Sequence, residues 1–335
     1  MMEKTARTPR LGGSLCAVCL VISLLCASEA DVQAGEILQQ VKASGVVRCS
    51  GVARPGLAER DGSGHWKGLE VDVCRAVAAA VLGSQERVKF TDWEPGPNDR
   101  GRAASDILFL TGAEMAESGF AGGLVPGPAI YIESHAILVP EDSKVQEISG
   151  LSGQDICFMT GSRIERSLEA SFDLKKRDWL RRPFSEEEEM MDAYQARNCR
   201  AVAGERSRLA AIRQEQGLDH QKSRILPGSL EDFPVMAATE VRDGQWAAIV
   251  AWTVHTLISG EMQRTPWTPG GDEAMPVDAL ELGVGKGWQS RVLKAVGSYR
   301  DIYDRNLGHK SPLALEPALN ASHADGGMLL SPFLE

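Results

Sequence analysis

Short apolar strands alternate with amphipathic helices along most of this chain, and that alternation limits the fold more than any other feature. Residues 46–52 predict a strand, and Leu69–Leu82 has apolar side chains at helical spacing with acidic residues in its first turns. The same order returns at Asp155–Met159 and at a helix that begins near Arg163. Because this alternation is typical of parallel strands joined through helices, we predict an α/β fold with a mostly parallel sheet in each half, flanked by helices.

The first thirty residues have the layout of a secretory signal peptide. Lys4, Arg7 and Arg10 form a basic region, an apolar run covers residues 14–27, and small residues follow at the spacing that a signal peptidase reads. A membrane anchor is the alternative, but the run is too short to cross ~30 Å of hydrocarbon. We therefore predict that residues 1–30 are cleaved and that the protein is exported.

Further segments extend the pattern beyond this leader. Helices are predicted at residues 36–43, 184–196, 206–214, 245–259 and 288–299, and strands at 88–91, 105–110 and 200–203. Ser185 and Glu188 have the spacing of a capping box for the helix at 184–196. The roughly 300 residues that follow the leader exceed what one compact core usually holds, which predicts two lobes.

Charge and cysteine content exclude some functions. The net charge of −10 argues against a nucleic-acid partner, because such binding requires clustered positive charge. Three of the seven cysteines lie in the leader, and an even number remains for an oxidising compartment, which suggests two disulfides. Three pairings are possible; we favour Cys49–Cys74 and Cys157–Cys199, because each closes a loop within one lobe. Zinc is the competing interpretation, but no pair has close ligand spacing.

Several phrases of the sequence resemble one known family. They are Trp66-x-Gly68-x-x-x-Asp72, Cys157-x-x-Thr160-Gly161-Ser162, Asp243-x-Gln245-Trp246 and Ser311-Pro312-Leu313. In this order and spacing, they are similar to the general L-amino-acid receptors of ABC importers, which are family-3 extracellular solute-binding proteins. The resemblance runs from about residue 36 to residue 333 and covers nearly the whole mature chain.

The resemblance implies a two-lobed periplasmic-binding-protein fold of type II. It places lobe one at residues 36–132 and 238–335 and lobe two at residues 133–237, with crossings near 131–136 and 233–239. A small polar solute, amino-acid-like, would bind in the interlobe cleft by hinge closure. The protein would then be a periplasmic monomer that delivers its solute to the membrane permease of an ABC importer, with no cofactor.

Candidate ligand-binding residues follow from the same resemblance. The family uses an arginine from the loop after the third strand, a Gly-Thr-Thr helix start and an aspartate in lobe two. At the matching positions this chain has Thr111 near the first of these, Gly161-Ser162-Arg163 at the helix start and Glu205 in place of the aspartate. Ser162 alone would also serve as an ordinary helix N-cap, and Glu205 as a solvated carboxylate paired with a nearby arginine.

The loop after the third strand departs from the family. Leu110 and Ser118 stand where arginines are expected, and Leu57 stands where an aromatic residue covers the ligand. In one explanation Arg163 supplies the missing charge and Glu114 or Glu117 selects a cationic group. In the other, the chain is a diverged copy that binds another solute or a protein partner.

An enzyme on the same fold, such as a lyase or dehydratase, is a third alternative. None of the six histidines lies in a nucleophile, metal or phosphate motif, and His65 is best explained as a solvated loop residue. We therefore expect a binding protein with no catalytic residues and no metal.

Overall fold

The computed structural model describes Met1 and residues 35–93, 105–117, 123–173, 178–215, 222–262 and 282–332. The chain divides into two units, Met1–Ala34 and Gly35–Glu335, and the second contains all the elements named below. The predicted signal peptide and Ser118 lie outside the described residues. Within the described ranges, no helix has the length and apolar character needed to cross a bilayer.

Helices of the second unit flank its sheet. In chain order they are α1 (Glu36–Ser44), α2 (Leu69–Leu82), α3 (Gly112–Glu117), α4 (Arg163–Phe172), α5 (Glu187–Gln195), α6 (Arg206–Glu215), α7 (Gly244–Met262), α8 (Trp288–Val296) and α9 (Tyr299–Asn306). The core face of α2 is broad and apolar, as its sequence predicts, and α2 packs against α8.

The strands form one mixed sheet and a small ribbon. The strands are β1 (Val47–Gly51), β2 (Glu59–Arg60), β3 (Trp66–Lys67), β4 (Val88–Asp92), β5 (Ile107–Thr111), β6 (Leu124–Val125), β7 (Ala129–Pro140), β8 (Asp155–Met159), β9 (Leu180–Phe184), β10 (Ala201–Glu205), β11 (Ser223–Ile225) and β12 (Glu231–Glu240). The main sheet has the order β4-β1-β5-β12-β7-β10-β8-β9, with β6 and β11 paired beside β12 and β7, and β2 pairs with β3 in the ribbon.

The sheet is parallel at its two ends and antiparallel in its middle. β1 runs parallel to β4 and β5, and β8 runs parallel to β9 and β10. The long strands β7 and β12 pair with each other and connect the two ends through antiparallel ladders. The predicted crossings at residues 131–136 and 233–239 fall on these two strands. This architecture is the two-lobed α/β fold predicted from the sequence, with both lobes joined by one continuous sheet.

Each end of the sheet has its own apolar core. One cluster around β8 and β10 includes Phe158, Leu168 and Trp179, and a second on the other face includes Tyr194 and Leu209. At the opposite end, Leu110 packs with Trp93 and Met115 among others. We call the end around β1, β4 and β5 the first lobe and the end around β8, β9 and β10 the second lobe.

Both favoured cysteine pairings are present in the structure. Cys49 of β1 is bonded to Cys74 of α2, so this bridge ties a strand to the helix that packs on it. Cys157 of β8 is bonded to Cys199, which lies two residues before the start of β10. Neither bridge joins the two lobes, which leaves each lobe internally fastened. In the part of the chain that the structure describes, no cluster of side chains could hold a metal ion.

Two local predictions from the sequence are wrong. The capping box at Ser185 and Glu188 does not form, because α5 begins after Glu186 and its N-terminal residue makes no side-chain cap. The single helix predicted at 288–299 is two helices, since Gly297 has φ +81° and ends α8. Ser298 then caps α9 together with Asp301 in a genuine capping box.

Candidate functional site

A cavity of about 470 Å³ lies between the two lobes, where strands of both lobes end and helices begin. This is the position at which open α/β sheets bind ligands. Charged side chains of both signs line it: Arg54, Glu114 and Glu117 from the first lobe, and Arg163, Glu187, Glu205 and Arg208 from the second. Apolar side chains such as Met159, Leu209 and Phe233 form the rest of its wall.

The cavity brings together five of the six residues predicted for the ligand site: Thr111, Glu114, Ser162, Arg163 and Glu205. Gly161, the sixth, does not line it. Gly161 occupies the turn before α4 with φ +67°, and its N–H donates to Glu165 Oε2 at 2.8 Å. The turn therefore needs a glycine, but its N–H already has an acceptor.

Thr111 and Glu114 form a reciprocal cap at the start of α3. The Thr111 N–H donates to Glu114 Oε2 at 2.7 Å, and the Glu114 N–H donates to Thr111 Oγ1 at 3.2 Å. Thr111 is 2% exposed, so it contributes mainly to the floor of the cavity. These bonds fix the Glu114 carboxylate at the edge of the first lobe.

Ser162 is the N-cap of α4. Its Oγ accepts a hydrogen bond from the Glu165 N–H at 3.4 Å and donates to the Met159 carbonyl at 2.5 Å. Its hydroxyl proton is thus already committed to the protein. The N-cap role expected from the sequence is confirmed, while a role in binding an anion stays a prediction.

Arg163 lies on the second-lobe wall and already has partners. Its guanidinium carbon is 5.1 Å from the centre of the Phe233 ring, and Nη2 is 3.9 Å from Glu231 Oε1. The side chain is about one third exposed. A cation over an aromatic face is held in place without being fully neutralised, so Arg163 still contributes positive potential to the cavity.

Arg54 is the residue that the sequence analysis missed. It follows β1, is 6% exposed, and lines the cavity from the first lobe. Its Nη2 donates to Glu114 Oε1, and its Nε lies 3.6 Å from Glu205 Oε2 across the cleft. The arginine therefore links a glutamate of each lobe.

The loop that holds Arg54 is a tight turn whose backbone is closed on itself. Arg54 and Ala58 exchange backbone hydrogen bonds of 2.9 and 3.0 Å, and Gly56 between them has φ +73°. The sequence signal for this turn was the Pro55-Gly56 pair directly after a buried strand. Leu57 is fully buried and is not among the residues that line the cavity.

Carboxyl groups surround Arg54 and are strongly affected by burial. Burial raises the pKa of Glu70 to about 8 and the pKa of Glu133 to about 7, although Arg54 opposes both shifts. Burial also raises the pKa of Glu205, again against the effect of Arg54. Near neutral pH, Glu70 therefore holds a proton, and the surplus of negative charge around Arg54 is smaller than the number of glutamates implies.

No protein-family model matches the chain. It is 30% identical over 324 residues to the general L-amino acid-binding periplasmic protein AapJ of Rhizobium johnstonii, with 90% of this chain and 94% of that protein covered. It is 25% identical to the glutamate/glutamine/aspartate/asparagine-binding protein BztA of Rhodobacter capsulatus, over 92% of this chain and 96% of that protein.

The chain is also similar to a solved structure of a periplasmic binding protein. The periplasmic binding protein of an ABC transporter from Brucella ovis, solved with glutathione bound, is 26% identical and superposes with a TM-score of 0.71 over 89% of this chain and 99% of that chain. All three relatives are named as binding proteins, not enzymes, and the Rhizobium and Brucella proteins are named as periplasmic, which agrees with the predictions from the sequence. The chain therefore belongs to the periplasmic amino-acid-binding proteins of ABC transporters.

Proposed function

We propose that this protein is the solute-binding component of an ABC importer and that it captures an amino acid, or a small peptide, between its lobes. The observation that carries the proposal is the cavity of about 470 Å³ lined by charges of both signs from both lobes. A zwitterion needs an anionic and a cationic partner when it leaves water, because burying an unpaired charge is costly. The volume of this cavity falls within the range known for small-molecule binding sites.

The predicted site fits this role residue by residue. Glu205 supplies a carboxylate for the ligand's ammonium group, and Arg163 adds positive potential from the same lobe. Thr111, Glu114, Gly161 and Ser162 shape and hold the two helix starts that face the cavity. The neighbour with bound glutathione supports including a tripeptide among the candidate ligands.

The remaining features of the proposal follow the family. Residues 1–30 act as a cleaved signal peptide. Lobe one comprises residues 36–132 and 238–335, and lobe two comprises residues 133–237. The lobes close over the solute by bending β7 and β12. The closed monomer then docks on the membrane permease of its importer.

The test is a thermal-shift screen of residues 31–335 against the twenty L-amino acids, reduced glutathione, polyamines and small organic acids. Ligand at a hundred times its dissociation constant stabilises a protein by about 2.7 kcal/mol, which raises the midpoint by several degrees. Calorimetric titration then gives the affinity, with Glu205→Gln as the variant expected to bind amino acids more weakly. A folded protein whose midpoint is unchanged by every amino acid and by glutathione contradicts the proposal. That result would favour a diverged copy with another solute or a protein partner.

A further inference from the structure

A ligand carboxylate that is buried needs a cationic hydrogen-bond donor. In the family this donor is an arginine of the loop after the third strand, and this chain has other residues at the matching positions. Leu110, at the first expected arginine position, is fully buried and packs in the core of the first lobe. It therefore neither faces the cavity nor carries charge. If the ligand has a free carboxylate, its cationic partner must come from another element.

Arg54 has the geometry of such a partner. It lines the cavity, is more than nine-tenths buried, and its Nη1 has no hydrogen-bond partner among the described residues. Nη2 is held by Glu114, and Nε lies at ion-pair distance, 3.6 Å, from Glu205, so carboxylates already approach two of the three guanidinium nitrogens. A buried N–H without a partner is destabilising, and an arriving acceptor relieves that cost.

The other arginines on the cavity wall are already engaged. Arg163 lies over Phe233 and near Glu231. Arg208 donates through Nε to Glu187 at 3.0 Å and through Nη1 to Glu215 at 3.1 Å. Both are about one third exposed, so water screens their charge more than that of Arg54. Arg54 is the least exposed of the three.

We propose that the solute carries a free carboxylate and that Arg54 binds it through Nη1, in place of the arginines of the loop after the third strand. The proposal rests on the proposed function and adds the chemical class of the ligand. Glu205, which faces Arg54 across the cleft, then accepts the ligand's ammonium group. An α-amino acid presents both groups on one carbon, and so does the γ-glutamyl end of glutathione.

The experiment combines a protein variant with a change in the ligand. Wild type, Arg54→Gln and Arg163→Gln are titrated calorimetrically with L-glutamine, L-arginine, L-leucine and reduced glutathione. Each amino acid is paired with its α-carboxamide, and glutathione with its diethyl ester, in which both carboxyl groups are neutral. Wild type should bind the acid at least about thirtyfold more tightly than the neutral derivative. Removing one partner of a buried, charged hydrogen bond weakens binding by at least about that factor. Arg54→Gln should lose that preference, whereas Arg163→Gln should keep it.

The outcomes separate the two proposals. If wild type binds none of the four acids and no other L-amino acid shifts its midpoint in the thermal screen, the proposed function and this assignment both fail. If wild type binds an acid and Arg54→Gln still discriminates it from its neutral derivative as wild type does, only the assignment of Arg54 fails. Removing Arg54 alone takes away the cation that pairs with Glu114. If that variant does not fold, Arg54→Gln with Glu114→Gln removes both charges, and the same loss of preference is expected.

Discussion

At the residue scale, the carboxyl group of Glu70 should make stability depend on pH. Burial raises its pKa from 4.5 to about 8, and neither oxygen has a hydrogen-bond partner among the described residues. The unfolded chain releases this proton near pH 4.5, whereas the folded chain keeps it up to about pH 8. The folded state thus binds more protons in this window, and its stability falls as the pH rises through it.

We therefore expect Glu70→Gln to flatten this dependence. The loss in unfolding free energy between about pH 5 and pH 8 should shrink by a few kcal/mol in the variant, because glutamine does not titrate. Urea denaturation at each pH measures it, with the exposed Glu86→Gln as control. If the unfolding free energy falls equally steeply with pH in wild type and in Glu70→Gln, Glu70 titrates normally in the fold.

Individual residues also show where sequence reasoning stops. Ser162 as an N-cap and Glu205 as the acidic residue of the second lobe follow from the phrases that contain them, and the structure places both at the cavity. Arg54 does not follow in this way, because its role depends on Glu114 and Glu205, which are 60 and more residues away in the chain. Burial and long-range ion pairing are tertiary properties that no local pattern encodes.

At the element scale, strand and helix positions are predicted well wherever contact with the core requires a regular spacing of apolar residues. Leu69–Leu82 and Asp155–Met159 have the bounds given by their apolar patterns. The start of α5 and the break at Gly297 were wrong, because both depend on backbone turns rather than on core contacts. The antiparallel middle of the sheet was not predicted either, since pairing between β5, β12 and β7 joins segments that are distant in the sequence.

The two disulfides belong to this scale, because each fastens a strand to a neighbouring element. The Cys49–Cys74 bridge closes a sequence separation of 25 residues and the Cys157–Cys199 bridge one of 42. Replacing both cysteines of either pair with alanine should lower the unfolding free energy by about 2–4 kcal/mol through the gain in unfolded-state entropy. Urea denaturation measures the loss. A variant as stable as wild type under oxidising conditions would contradict the expectation.

At the scale of the whole molecule, a carboxy-terminal segment adds a connection between the lobes. Arg213 of α6, in the second lobe, donates through Nη2 to the carbonyl of Leu313, which follows α9. The Asn320 side chain accepts from the Ile132 N–H at 2.6 Å and donates to the Ile132 carbonyl at 3.0 Å. The segment from Leu313 to Asn320 thus touches both the second lobe and strand β7, on which we propose that the lobes hinge.

The contact of Arg213 with Leu313 is present in the same arrangement in which Arg54 approaches Glu205 across the cleft. Removing the Arg213 contact should therefore favour a more open arrangement of the lobes. We expect Arg213→Ala to weaken ligand binding by up to about tenfold, the value of one hydrogen bond, and to increase the radius of gyration without ligand. Titration calorimetry and small-angle X-ray scattering measure the two effects. Arg182→Ala is the matched control, since Arg182 pairs with Asp155 inside the second lobe and should leave both quantities unchanged. If Arg213→Ala behaves like this control, the carboxy-terminal segment only packs against the lobes, and bending of β7 and β12 alone sets the closing equilibrium.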